Sequence, residues 1–243
     1  VEVPVVMEKD LAGQIILAID VSPSMGIRDV SPSRLDASKN ILVEFVENSS
    51  ENVGLAVVSF ESEIRNTFAV TGDKSKVVSA IEDLVVSESL PCLEERTDIG
   101  YGLQTCLNLL TPSVSSNKSS AIILVSDGFA NYGFPDPFES VFRATARAKN
   151  LNVPIYALHI GRMGQDSNDE LMRQIADETK GKFMNSTSSE ELRDVFNVIG
   201  KYYVPAHEWS SLVEIKTTIP VKAELRFLLM FVAVGFVVAL WIG

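Results

Sequence analysis

Asp20, Ser22 and Ser24 stand at alternating positions where an apolar run, Ile15-Ile16-Leu17-Ala18-Ile19, stops. A carboxylate and two hydroxyls at i, i+2 and i+4, on a loop leaving a strand, can point into one small volume. Their oxygens are hard donors, which Mg²⁺ accepts while keeping some of its waters. The plainer alternative is a strand ending in an Asp-Ser turn that caps the next helix. Two further segments weigh against it. A second apolar run, Ala121 to Val125, ends in Ser126-Asp127-Gly128, and Thr97-Asp98-Ile99-Gly100 opens the helical pattern before it. If the two runs are neighbours where strand order reverses in a sheet, ligands bind beyond their carboxyl ends. Asp20, Ser22, Ser24, Thr97 and Asp127 then deliver oxygen to one crevice.

The elements that must position them follow from periodicity. Apolar runs at 15–19, 54–60, 121–125 and 153–160 read as buried strands. The alternating segment 66–70 is joined to 54–60 by Glu61 to Arg65, short enough for a hairpin, so it is expected to run antiparallel. Helical spacing covers Leu35 to Val46 behind Ser33, Lys74 to about Val86 behind Asp73, Ile99 to Leu110, and Phe138 to Lys149. A further helix, Glu170 to Thr179, is stopped by Gly181. Lys182 to Met184 reads as a short strand, and Ser188 with Glu191 as a capping box for a helix through about Val198. Strands alternating with helices make this an α/β chain with a doubly wound, mainly parallel sheet.

Composition sets the outer bounds. The chain of 243 residues carries 21 basic and 32 acidic residues, net −11, with no Lys/Arg cluster, which argues against a nucleic-acid partner. Two cysteines, Cys92 and Cys106, and two histidines, His159 and His207, show no zinc-ligand spacing. Cys106 falls in a helical apolar pattern and Cys92 in a loop; a disulfide between them stays open. The mean hydropathy of +0.17 is high for a soluble domain. Its source is the end of the chain, where Phe227 to Gly243 carries no charge, a length at the short end of the ~17–25 residues that span a bilayer. Arg226 and Trp241 bracket that stretch as interfacial anchors. The expected organisation is a lead-in at 1–14, one domain at 15–203, a linker or stalk at 204–225 and a transmembrane helix at 226–243.

Asp20-Val21-Ser22-Pro23-Ser24, Thr97 ahead of Gly100, and Ser126-Asp127-Gly128 resemble the three parts of the metal-ion-dependent adhesion site (MIDAS) of von Willebrand factor A (vWA) domains. The likeness extends from about Ile15 to Ile199 and includes Arg34-Leu35-Asp36-Ala37. It implies a Rossmann-like sheet with one antiparallel edge strand. It also implies that Ser22, Ser24 and Thr97 offer hydroxyls to Mg²⁺ (or Mn²⁺ or Ca²⁺), with Asp20 and Asp127 acting directly or through water. An acidic side chain of a protein partner would complete the ion. Glu95-Arg96 departs from the glycine many members have before the threonine, and Asp98 reads as a cap rather than a ligand.

With a hydrophobic helix behind it, the chain resembles membrane-anchored Bat-type (aerotolerance-operon) proteins. That likeness implies work beside other vWA membrane proteins and a MoxR-type AAA+ ATPase, in envelope protein assembly or stress response. It places the domain outside the cytoplasm, with which the sequons at Asn48, Asn117 and Asn185 agree. Lys216, Lys222 and Arg226 favour the opposite side. Two other functions compete. The metal could be purely structural. Alternatively, the strand-Asp loop faintly resembles haloacid-dehalogenase-like phosphatases, but Ser22 stands where those need a second aspartate. A serine hydrolase needs G-x-S-x-G, which Ser22 and Ser24 lack. The chain is therefore expected not to be an enzyme.

Overall fold

β1, Gly13–Asp20, is buried along its whole length, and Ile15, Ile16, Leu17 and Ile19 are each at most 2% exposed. Burying a side chain of that size is worth roughly 1.5–3 kcal/mol, and β1 can bury two faces only as a central strand. In the computed structural model it pairs in parallel with β2, Val53–Phe60, on one side and with β4, Ser119–Ser126, on the other. The structure describes residues 11, 13–87, 96–110, 119–128, 130–161 and 169–185.

The strand order is β3-β2-β1-β4-β5-β6, with β5 at Ile155–His159 and β6 at Phe183–Asn185. Among the described strands only β3, Ile64–Thr71, runs antiparallel, at the edge beside β2, as the short hairpin loop requires. β1 and β4 are neighbours at the reversal of strand order, so the carboxyl ends carrying Asp20 and Asp127 open into one crevice.

Side-chain parity divides the core into two. Ile15, Leu17 and Ile19 pack with Leu35, Leu42 and Phe45 of α1, Arg34–Asn48, and with Val77 and Ile81 of α2, Lys74–Glu82. Ile16 and Ala18 face the other way. They join Leu103 and Cys106 of α3, Ile99–Leu109, with Val141 and Ala144 of α4, Pro137–Asn150, and Ile175 of α5, Asp169–Glu178. Ser33, Asp73, Asp98 and Asp136 cap the first four helices through side-chain oxygens that accept a backbone N–H three residues on. Each such cap is worth about 1 kcal/mol.

Some boundaries differ from the sequence reading. α2 stops at Glu82 rather than near Val86, because the chain leaves the helix in a tight turn in which the Leu84 N–H donates to the Ile81 carbonyl. The Ser87 N–H then bonds to the carbonyl of Val21 at 2.7 Å, drawing this segment to the end of β1. β3 is longer than 66–70, and Leu110 is only partly buried. Cys106 is a free buried thiol.

The chain divides into two compact units, Val1–Tyr203 and Val204–Gly243, and every described residue belongs to the first. Among the described residues no helix is long and apolar enough to cross a membrane. The lead-in to residue 10, the helix after Ser188, the linker at 204–225, the span at 226–243 and Cys92 lie outside them.

Candidate metal centre

Asp20 is the last residue of β1 and has no exposed surface. Its Oδ1 accepts the backbone N–H of Ser22 at 2.9 Å, and its Oδ2 accepts the hydroxyl of Ser126, the last residue of β4, at 2.7 Å. The two strand ends are thus joined through the carboxylate itself. Burial is the main reason its pKa rises from 3.8 to about 7; the charge of Asp127 adds to the rise, and the bonds from Ser22 and Ser126 oppose it.

Ser22 precedes a single 3₁₀ turn, Pro23–Gly26, with proline at its first position, where a missing N–H costs nothing. The turn closes through the Met25 N–H on the Ser22 carbonyl at 3.0 Å. The Ser22 side chain makes no cap bond; its Oγ lies 3.1 Å from that of Ser24. One turn of chain therefore brings both hydroxyls together at the mouth of β1.

Thr97, 2% exposed, is held by its backbone at the same end of the sheet. Its N–H donates to the Asn131 side chain at 2.8 Å, and its carbonyl accepts the Tyr132 N–H at 3.2 Å. The next residue, Asp98, donates its N–H to the carbonyl of Glu61 at 2.8 Å. Thr97 is therefore pinned between the loops that follow β2 and β4. Asp98 does what its position suggested: its Oδ1 accepts the Tyr101 N–H and the Ser140 hydroxyl, tying α3 to α4.

Asp127 follows β4 directly and is 4% exposed. Gly128 turns the chain at φ +82°, a conformation that suits glycine, and its N–H donates to Ser126 Oγ at 3.0 Å. Arg34 Nη1 donates to Asp127 Oδ2 at 2.8 Å.

The structure places Asp20, Ser22, Ser24 and Asp127 at or just beyond the carboxyl ends of β1 and β4, and ties Thr97 through its backbone to the loop after β4. The donor set fits a hard divalent cation: two carboxylates and three hydroxyls, with one carboxylate buried and carrying a charge that burial alone disfavours. Among the described residues no group of three or more His, Cys, Asp or Glu could hold a metal. The sequence reading gave no role to Ser126, Asn131, Asp29 or Arg34. The signals available were Ser126 directly before a candidate ligand, and two opposite charges, Asp29 and Arg34, flanking Pro32 in a loop.

A von Willebrand factor type A domain model matches residues 14–198. The chain belongs to that family. This vWA domain is similar to the UPF0353 protein of Mycobacterium sp. (strain KMS), at 27% identity over 200 residues, covering 75% of this chain and 58% of the relative. It is also similar to the UPF0353 protein of Nocardia farcinica (strain IFM 10152), at 26% over 214 residues, covering 76% and 61%. The chain spans about three-fifths of the length of these curated relatives.

Among solved structures, the conserved hypothetical protein BatB of Bacteroides thetaiotaomicron has a TM-score of 0.63 at 21% identity, over 78% of this chain and 98% of that one. An aerotolerance-related membrane protein of Bacteroides fragilis NCTC 9343 also gives 0.63, at 19% identity, over 78% and 99%. The vWA domain of SpRpn10 gives 0.57 at 20% identity, over 77% and 94%. The domain therefore resembles Bat-type vWA proteins in fold. Such domains are generally protein-interaction modules.

Aromatic side chains are exposed at the starts of α3 and α4 and in the loop after β4. Tyr101 opens α3, Tyr132 and Phe134 lie in the loop after β4, and Phe138 opens α4; all four are exposed, Phe134 by 88%. The Arg96 guanidinium sits 5.0 Å from the centre of the Tyr132 ring.

Proposed function

We propose that this vWA domain binds a divalent cation, Mg²⁺ foremost, through Asp20, Ser22, Ser24, Thr97 and Asp127, and presents it to an acidic side chain of a protein partner. The observation that carries this reading is the joining of β1 and β4 through a fully buried Asp20 carboxylate, beside a stacked pair of serine hydroxyls. Three neutral hydroxyls against two carboxylates leave a bound divalent ion electron-poor, so a carboxylate from outside is the group that would complete it. Exposed Tyr132, whose N–H bonds to the Thr97 carbonyl, offers such a partner apolar contact area beside a candidate ligand. The domain does this as an interaction module rather than an enzyme.

Resemblance to Bat-type proteins, the membrane protein of Bacteroides fragilis among them, supports two further parts of the proposal. Residues 226–243 anchor the domain in a cell membrane, with the domain on the extracytoplasmic side. Its partners include other vWA membrane proteins and a MoxR-type AAA+ ATPase, in envelope protein assembly or stress response.

The test is titration of Mg²⁺ and Mn²⁺ into wild type and into the double variant Asp20→Ala, Ser22→Ala, followed by partner capture with and without chelator. The expected result is loss of metal binding in the variant and loss of capture in chelator. Unchanged metal affinity would remove the site. Capture that survives chelator would leave the metal with a structural role only.

A further inference from the structure

Arg34 places a guanidinium on a candidate ligand, and nothing in the metal reading uses it. The side chain is held from three sides. Its Nε and Nη2 each donate to a different oxygen of Asp29 at 2.9 Å, a bidentate pair, while Nη1 donates to Asp127 Oδ2 at 2.8 Å. The third side is the backbone at Gly161, just past β5, where φ is +138°. A Cβ there would stand 3.0 Å from Arg34 Nε and 3.1 Å from Cζ, so the guanidinium occupies space that a side chain would take. The backbone is fixed as well: the Arg34 N–H bonds to the Ile27 carbonyl at 3.0 Å, and the Arg34 carbonyl accepts the Ser38 hydroxyl at 2.7 Å. Both Arg34 and Asp29 are mostly shielded, with side chains 16% and 15% exposed.

We propose that Arg34 is the built-in counter-cation of this site, neutralising Asp127 when no divalent ion is bound and competing with the ion for that carboxylate. The proposal rests on the metal reading above. The geometry separates two bonds of unequal strength on one guanidinium. The bidentate pair with Asp29 uses the fork; the single bond to Asp127 is the one that can be surrendered. Charge supports the division of labour. Two carboxylates, Asp29 and Asp127, share the single guanidinium of Arg34, so the cation of the cluster is outnumbered by the acids it meets. Asp29 therefore has a defined task. It draws the guanidinium away from the metal position and cancels its charge, and without it Arg34 would repel the incoming cation at close range.

The experiment measures Mg²⁺ and Mn²⁺ affinity calorimetrically, and the melting temperature in EDTA, for the full chain and for Arg34→Met, Arg34→Lys, Asp29→Asn and Gly161→Ala. Arg34→Met is expected to lower the melting temperature in EDTA while tightening metal binding by roughly threefold to tenfold. Arg34→Lys, which keeps the charge but not the fork, is expected to fall between wild type and Arg34→Met. Asp29→Asn is expected to weaken metal binding by a similar factor. Gly161→Ala, which crowds the guanidinium without touching its charge, is expected to follow Arg34→Met in sign. A residue needed only for structure would lower both quantities together. Weaker metal binding by Arg34→Met, or no change in either quantity, would overturn the proposal. A wild-type protein that binds no divalent ion would overturn the metal reading and the competition with it. The EDTA melting temperatures alone would then decide whether Arg34 neutralises Asp127.

Discussion

Asp20 and Asp127 end neighbouring strands, are both nearly inaccessible, and differ in how their charge is met. Asp127 lies against a guanidinium that is itself anchored on Asp29. Asp20 is met by neutral donors, the backbone and side chain of Ser22 and the hydroxyl of Ser126, and the charge acting on it is that of Asp127, which is repulsive. One carboxylate is neutralised by the protein's own cation. The other faces no cation, and burial, with the charge of Asp127, raises its pKa to about 7, so it holds a proton more readily. The pair shows where an external cation has most to contribute. It would relieve Asp20, and it would have to share Asp127.

Matched substitutions separate the two most sharply. In chelator at pH 8, Asp127→Asn is expected to lower stability by about 2–3 kcal/mol, because it removes one partner of a buried ion pair and leaves the Arg34 fork satisfied on Asp29 alone. Under the same conditions Asp20→Asn is expected to raise stability by roughly 1–2 kcal/mol, since it deletes a buried charge with no cation beside it. An amide can still accept one of the two hydrogen bonds and donate toward Ser126. Denaturant titrations of both variants check the signs, and two losses of similar size would abolish the distinction.

Asp20 also sets a pH dependence for the metal-free protein. Its pKa is 3.8 when unfolded and about 7 when folded, so the folded state binds the proton more tightly. The stability this contributes is fully present below about pH 4 and is lost as pH rises through about 7. Melting temperatures in chelator should therefore fall between pH 5 and about pH 8, and in Asp20→Asn that slope should flatten. A wild-type slope of the opposite sign over that window would show that other groups outweigh Asp20.

How much of this was legible in the sequence depends on the range of the contacts. The strands, the antiparallel edge and the caps at Ser33 and Asp73 could be read, because burial pattern and capping are local. Asp20 ends β1, Asp127 follows β4 directly, and Ser22 and Ser24 come within four residues of β1, so strand order and short loops were enough to place these four at one end of the sheet. The hydrogen bond from Ser126 to Asp20 spans 106 residues, and that from Arg34 to Asp127 spans 93. Neither has a periodic signature. Arg34 stood in the quoted motif, yet nothing in it told a helix-opening arginine from one whose guanidinium turns back onto another strand. Beyond the tight turn that ends α2, the chain up to Ser87 is likewise drawn to a distant carbonyl, that of Val21, which helical spacing does not show.

Ser126 gives the finest test of the contrast, because of the two carboxylates its hydroxyl bonds to Asp20. It donates to Asp20 Oδ2 and accepts the Gly128 N–H, both buried. Ser126→Ala removes both bonds without adding bulk, at a cost of about 1–2 kcal/mol. The loss should be greater at pH 8 than at pH 5. Ser126 stabilises the ionised form of Asp20, so without it the carboxyl holds its proton still longer. The midpoint of the pH-dependent melting curve should then move upward, while the effect of Arg34→Met on stability stays as in wild type, since that bond lies on the other carboxylate. An unchanged midpoint would mean that the Ser126 bond is structural and that burial, Asp127 and Ser22 set the affinity of Asp20 for a proton.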